Sequence, residues 1–415
     1  MQITLLTPHY QPHFEGGTEF AARTQARALS RRGHGVRIVS GTDRPHRGED
    51  VEEALVDGLA VRFLPRLPGE VFDLALARPR LDPLLRAEIA GSDLVHVHHW
   101  STLTGSVVRD LTDAGVPVVV TLHDLFATCP RFFRVPPAAD ISCPAGEELE
   151  SCASCIAPEA PGWSTARLLA GLRERRAAFA AELDAAAAIV CPSASHAERI
   201  ARHLPLPTGR VHIVPHGLCV EFEPAPEGAR TSLAFAGAAG ETLRVLFLGH
   251  LGAAKGAGDL VRALRDLPGV ELLLLGAEVE SGCIGELRRA AGATPLTFGG
   301  AYRVEELARR VAELGGAHLV ALPSRVAESY GLVLDEALAL GLPAWVSDRG
   351  APPERVGSAG RVLPAENPSR WRASFEEVLA DPALLAAERA AVPERTRTAR
   401  QAAVELESIY RDLLS

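Results

Sequence analysis

Lysine is all but missing from this chain: among 43 basic residues only one, Lys255, is a lysine. Arginine serves everywhere else, so a compact ammonium at one point marks a place where a small charge is wanted, and a loop beside a phosphate supplies a reason. Long apolar runs are missing too. None approaches the roughly 20 residues that span a bilayer, and the opening MQITLLTPHYQPHFEGG has neither the basic block nor the apolar block of a signal peptide. The expectation is a cytoplasmic protein, with peripheral membrane contact left open but supported by no basic amphipathic segment. A positive balance is absent as well. The formal net charge of −9 excludes a protein that lays a broad basic face on nucleic acid, so any phosphate is bound at one local site. Polar low-complexity tracts are lacking, and disorder is not expected.

At 415 residues the chain is too long for one ordinary core and suits two domains of about 200 residues each. In the first half, Gln2–Leu6, Val36–Ser40, Ala60–Phe63, Leu94–Val97, Val118–Leu122, Ala188–Val190 and Val211–Val214 read as buried strands, with helical stretches such as Thr18–Arg32 between them. After a loose Ala, Gly and Pro segment from Val220 to Glu241, the alternation restarts. Arg244–Leu248, Glu271–Leu275, Pro295–Phe298, His318–Leu322, Ala344–Val346 and Arg361–Leu363 are strand-like. The α/β pattern predicts two Rossmann-like domains, residues 1–219 and 220–395, followed by an amphipathic helix over 396–415 that packs back on the first domain.

Chemistry concentrates in two loops of the second half. Strand Arg244–Leu248 runs into Gly249-His250-Leu251-Gly252-Ala253-Ala254-Lys255-Gly256 and then a helix. Small residues let the backbone approach an anion, the helix start offers free N–H groups, and Lys255 adds a point charge against a diphosphate. The GxxxxGK[ST] of a P-loop is absent, so nucleotide hydrolysis is not the favoured chemistry. Further on, Glu328 lies on a loop and Glu336 inside the helix that follows, among Leu334, Ala337, Leu338 and Leu340. A carboxylate on so apolar a helix is costly unless it meets a cation or a hydroxyl pair. A ribose diol suits Glu336, and sugar hydroxyls suit Glu328.

In these residues the sequence resembles the retaining, GT-B-fold glycosyltransferases of family 4. The likeness rests on Gly249…Lys255-Gly256, on Glu328 and Glu336 with Tyr330-Gly331-Leu332 between them, on Gly341-Leu342-Pro343, on Gly16-Gly17, and on Thr121-Leu122-His123-Asp124. It implies two domains facing across a deep cleft and a nucleotide-diphosphate sugar as donor. It also implies an acceptor that is a carbohydrate, a lipid-linked glycan or a small molecule. On that reading His123, Glu328 and Lys255 are catalytic. Gly16, Gly17, His250, Lys255, Glu328, Tyr330, Gly331, Leu332 and Glu336 bind donor; His98, Asp124 and Arg199 lie on the acceptor side, with Asp124 orienting His123. Two positions depart from the family: His250 stands where an arginine is usual, and His216-Gly217 where Asn-Gly is. No Asp-x-Asp metal motif is visible, and a metal-independent departure of the diphosphate is expected.

Alternatives stay open: a nucleotide-sugar epimerase or sugar-phosphate synthase on the same fold, a non-catalytic nucleotide-sugar-binding protein, or a metal-centred redox protein. His96, His98 and His99 invite a metal reading, but alternation puts His99 on the other strand face, and polar lining of the acceptor pocket is preferred. Four of the seven cysteines, Cys129, Cys143, Cys152 and Cys155, fall in an insertion at about 129–160. A loop that long needs a staple. Four thiolates around a structural zinc are the first choice, and an iron–sulfur cluster makes the same demand; disulfides or free thiols are the alternative.

Overall fold

In the computed structural model, residues 1–14, 16–42, 51–65, 81–136, 143, 148–219, 221–279 and 281–415 are described. The chain divides into two compact units, Met1–Cys219 with Thr398–Ser415, and Val220–Arg397.

In the first unit the described strands are β1 (Gln2–Thr7), β2 (Gly35–Ser40), β3 (Glu52–Val56), β4 (Leu59–Phe63), β5 (Leu94–Val97), β6 (Val118–Thr121), β7 (Ala188–Cys191) and β8 (Val211–Ile213). They form one sheet in the order β3-β4-β2-β1-β5-β6-β7-β8. Every residue of β5, β6 and β7 is buried, as expected of parallel strands covered by helices on both faces. β3 is the strand that the pattern of apolar runs does not reveal. It pairs antiparallel with β4 and is mostly exposed, so it carries no apolar signature. Its signal is the turn: Asp57 and Gly58 both have positive φ, 54° and 79°, the type I′ geometry of a two-residue hairpin. Arg23 Nε donates to Asp57 Oδ2 at 2.6 Å and holds that turn to the helix Gly17–Arg31.

The helix Ala399–Leu414 completes this unit. Ala402, Ala403, Leu406 and Tyr410 are fully buried on it, against Ile3, Leu29, Leu94, Val119 and Val190. The chain leaves the unit and returns to it side by side, through a parallel bridge between Leu218 and Thr398.

The second unit has β9 (Leu243–Leu248), β10 (Val270–Leu275), β11 (Leu296–Gly300), β12 (Leu319–Leu322), β13 (Ala344–Ser347) and β14 (Gly360–Leu363), parallel, in the order β11-β10-β9-β12-β13-β14. Alternate residues feed two cores: Val245 and Phe247 one, Leu246 and Leu248 the other, the period of two that a strand buried on both faces requires. In open sheets of this kind ligands sit outside the carboxyl ends of the strands, where the winding reverses. That point lies between β1 and β5 in one unit and between β9 and β12 in the other. Among the described residues no helix is long and apolar enough to cross a membrane.

Candidate functional site

At the β9/β12 switch point the loop after β9 and the loop after β12 are knitted together. Arg325 N donates to Ala254 O at 2.9 Å, and the Arg325 guanidinium grips Asp259 with Nε to Oδ2 at 2.6 Å and Nη2 to Oδ1 at 2.9 Å. Burial opposes the Asp259 charge, yet its arginine partners hold the carboxyl below its ordinary value. Gly256 is where the two loops touch. Its φ is +76°, and a Cβ there would stand 2.0 Å from the Pro323 carbonyl oxygen, so only glycine fits.

This brace sets Lys255 against Glu328: Nζ donates to Oε1 at 3.0 Å, the two side chains being 35% and 19% exposed. The sequence assigned one to a diphosphate and the other to a sugar; in the structure they pair with each other. Glu328 is pinned through its backbone as well, by a bridge to Gly350 and by Ala351 N donating to its carbonyl at 2.9 Å. His250 is exposed in the turn.

Glu336 lies in the helix Leu332–Ala339, which Gly331 caps with φ 77°. It is 5% exposed, and burial pushes its carboxyl up to about 7 against the pull of the one hydrogen bond it receives. That bond comes from Tyr302, two residues beyond β11, whose hydroxyl donates to Oε2 at 3.0 Å. Among the described residues Oε1 has no hydrogen-bond partner. Tyr302 is the site residue that sequence reasoning missed. The resemblance gives the donor sugar the amides near Tyr330–Leu332, and the Tyr330 side chain itself turns inward: it is 2% exposed, its hydroxyl donates to Asp335 Oδ2 at 2.7 Å, and Arg355 stacks on its ring at 3.6 Å. What this stretch offers a ligand is backbone, at Gly331 and Leu332.

In the first unit the helix Gly17–Arg31 begins at Gly16, whose N–H donates to Glu19 Oε2 at 2.9 Å; that amide is already occupied. Around the carboxyl ends of β5 and β6, buried imidazoles lie ring to ring in series. Ring centroids are 4.3 Å apart for His96–His98, 5.1 Å for His98–His123 and 5.1 Å for His123–His216. His98 Nδ1 and His123 Nε2 are 2.9 Å apart. His96 bonds Tyr410 at 2.5 Å and Thr121 at 2.7 Å. Burial holds His96 at about 3 and His98 and His123 well below the ordinary value, so all three are neutral. Two expectations need correction. His96 and His98 are fully buried, so they back the surface rather than line a pocket. Asp124 does not orient His123: its Oδ2 lies 3.3 Å from His99 Nε2, its Oδ1 accepts from Phe126 N at 2.8 Å, and it is His98 that holds His123. Arg199 sits half-buried on the helix Ala194–His203, close enough to His196 to oppose its protonation.

Cys129, Cys143, Cys152 and Cys155 all line one cavity of about 240 Å³, together with Arg134 and Arg175. They do not, however, converge as a ligand set. Among the described residues no three His, Cys, Asp or Glu side chains are placed to hold a metal ion. Cys129 follows the turn Leu125–Thr128, whereas Cys152 and Cys155 ride on the helix Leu149–Ile156. The closed four-thiolate centre expected from the spacing is therefore not formed in this structure.

Comparison with known proteins gives matches along both units. Residues 15–222 match the family described as Glycosyltransferase Family 4, and residues 231–399 the family described as Glycosyl transferases group 1. The chain is similar to D-inositol 3-phosphate glycosyltransferase 1 of Catenulispora acidiphila, 30% identical over 90% of this chain and 85% of the relative. It is also similar to the D-inositol 3-phosphate glycosyltransferase of Corynebacterium diphtheriae, 27% identical over 99% and 95%. Among solved structures it shares its fold with sucrose-phosphate synthase from Thermosynechococcus elongatus, with TM-score 0.67, 20% identity, and coverage of 100% and 99% of the two chains. Anabaena Alr3699/HepE in complex with UDP gives TM-score 0.62, 16% identity, and coverage of 100% and 98%.

Proposed function

Because the chain belongs to glycosyltransferase family 4 and is a GT-B glycosyltransferase, we propose that it moves a sugar from a nucleoside-diphosphate sugar to a hydroxyl of a carbohydrate or phosphorylated polyol, with retention of anomeric configuration. One observation carries the donor assignment. Glu336 is a largely buried carboxylate with one oxygen held by Tyr302, while the other accepts no hydrogen bond among the described residues and is open to a donor from a ligand. A ribose diol supplies two donors to it. The second unit is thus the donor domain, with Lys255, the amides of His250, Ala253 and Ala254 and the start of the helix Ala257–Leu264 meeting the diphosphate.

On donor binding Lys255 exchanges part of its contact with Glu328 for the diphosphate, which frees Glu328 for the sugar hydroxyls. Negative charge then develops on the leaving diphosphate opposite groups already in place, the arrangement that lowers a barrier most. Departure needs no divalent ion on this reading. The first unit is the acceptor domain, with His123 as the neutral group it offers to the reacting centre. Relatives named for D-inositol 3-phosphate support a phosphorylated polyol acceptor.

Incubating the protein with nucleotide sugars, UDP-sugars first, and following release of free nucleoside diphosphate tests the reading. Release that needs an acceptor and disappears in Glu328→Ala supports it. Conversion of the donor without an acceptor moves the assignment to an epimerase, and no release from any donor sinks the transferase reading. The anomeric signals of the product by NMR decide between retention and inversion.

A further inference from the structure

The loop after β11 contributes Tyr302, which no family motif quoted above contains. Its ring packs on the core formed by Leu246, Leu334 and Ala337, and its hydroxyl reaches Glu336 Oε2 at 3.0 Å. Other routes to hold that carboxylate are missing among the described residues. The neighbouring Asp335 is engaged by Tyr330 and Arg355, and no arginine or lysine pairs with Glu336.

We propose that Tyr302 is the positioning residue of the donor site: by fixing one oxygen of Glu336 it aims the other at the ribose, and so makes the enzyme select ribonucleotides over deoxyribonucleotides. The inference rests on Glu336 being the ribose carboxylate. A carboxylate in a helix otherwise rotates about its terminal bonds, since the torsion next to the carboxyl group is broad. Two hydroxyls on adjacent ribose carbons are read together only when both oxygens lie in one fixed plane. A tyrosine does this without adding a counter-charge, so the carboxylate keeps its full strength as an acceptor. An arginine in the same place would compete with the ribose for the same lone pairs.

The tyrosine bond also favours the charged form of Glu336, which burial and the adjacent Asp335 oppose. Tyr302 itself is held protonated, its own ionisation pushed far up by burial and by Glu336. It therefore stays a donor across the working pH range.

The test uses the full chain, titrated calorimetrically with UDP, GDP and ADP, and then with the 2′-deoxy and 3′-deoxy forms of whichever binds best. Wild type is expected to bind the ribo form at least tenfold more tightly than either deoxy form, about the value of one hydrogen bond to a charged group. In Tyr302→Phe, which keeps the ring and its packing, that preference falls to within about threefold, the donor KM rises more than kcat falls, and the pH midpoint of nucleotide binding moves upward. Glu336→Gln is the reference for complete loss. Retained ribose preference and an unmoved pH midpoint in Tyr302→Phe would overturn the proposal while leaving the donor site intact. Absence of any nucleotide binding by wild type would instead overturn the donor reading, and this inference with it.

Discussion

At the scale of the residue, the proposed chemistry rests on one carboxyl and one ammonium, and each makes a checkable claim. Glu336 is raised from 4.5 to about 7, so between those values the folded protein keeps a proton that the unfolded chain has lost. Its contribution to stability is therefore full below about pH 4.5 and declines as pH rises through about 7. A ligand that donates to the carboxylate reverses the balance. Nucleotide binding should expel a proton near pH 6.5 and tighten as pH rises toward about 8; calorimetry in two buffers of different ionisation heat detects that proton, and equal heats would refute it. Lys255→Ala should lower kcat/KM for transfer by about a hundredfold or more, the usual loss when a preorganised charge at a leaving group is removed. Lys255→Arg should restore little, because a planar fork does not replace a point charge in a loop this tightly braced.

Elements decide where those residues stand. Gly256→Ala forces a side chain into the Pro323 carbonyl and should cost more than about 1 kcal/mol of stability, with Arg325 and Asp259 intact and nucleotide affinity lost together with it; an unaltered melting curve would show that the loops can part freely. Leu406→Ala, on the helix that closes the first unit, opens a void under Ile3 and Val119 and should cost about 3 kcal/mol, read as a drop in the denaturant midpoint. The sequence makes some of this legible and hides the rest for physical reasons. Buried parallel strands announce themselves as runs such as Val118–Thr121, and Glu336 stands out because a carboxylate sits in an otherwise apolar helix. β3 is silent because an exposed edge strand needs no apolar face. Tyr302 is silent because a lone aromatic in a loop has no period, and its partner is 34 residues away. The histidine series misleads for a related reason: strand alternation correctly groups His96 with His98, but whether a strand end lines a pocket or lies beneath it depends on which helices cover it, here the one bearing Tyr410.

Across the whole molecule, two units with separate cores hold the two sets of proposed site residues. Lys255, Glu328, Tyr302 and Glu336 all belong to Val220–Arg397, while Gly16, Gly17 and His123 belong to the other unit. Scanning calorimetry should therefore resolve two transitions, and a nucleoside diphosphate should raise the one that belongs to the second unit, by an amount that grows with its concentration. A uniform shift of a single transition would contradict separate cores. The bridge between Leu218 and Thr398 has a further meaning in time. Residues 220–397 are inserted within a unit that is not finished until the helix Ala399–Leu414 arrives. On the ribosome the later-encoded unit can close first, while the first 219 residues wait with Ile3, Leu29 and Val119 uncovered. Any product that stops short of residue 399 is then a chain with one finished half and one open apolar flank, a natural client for chaperones and proteases.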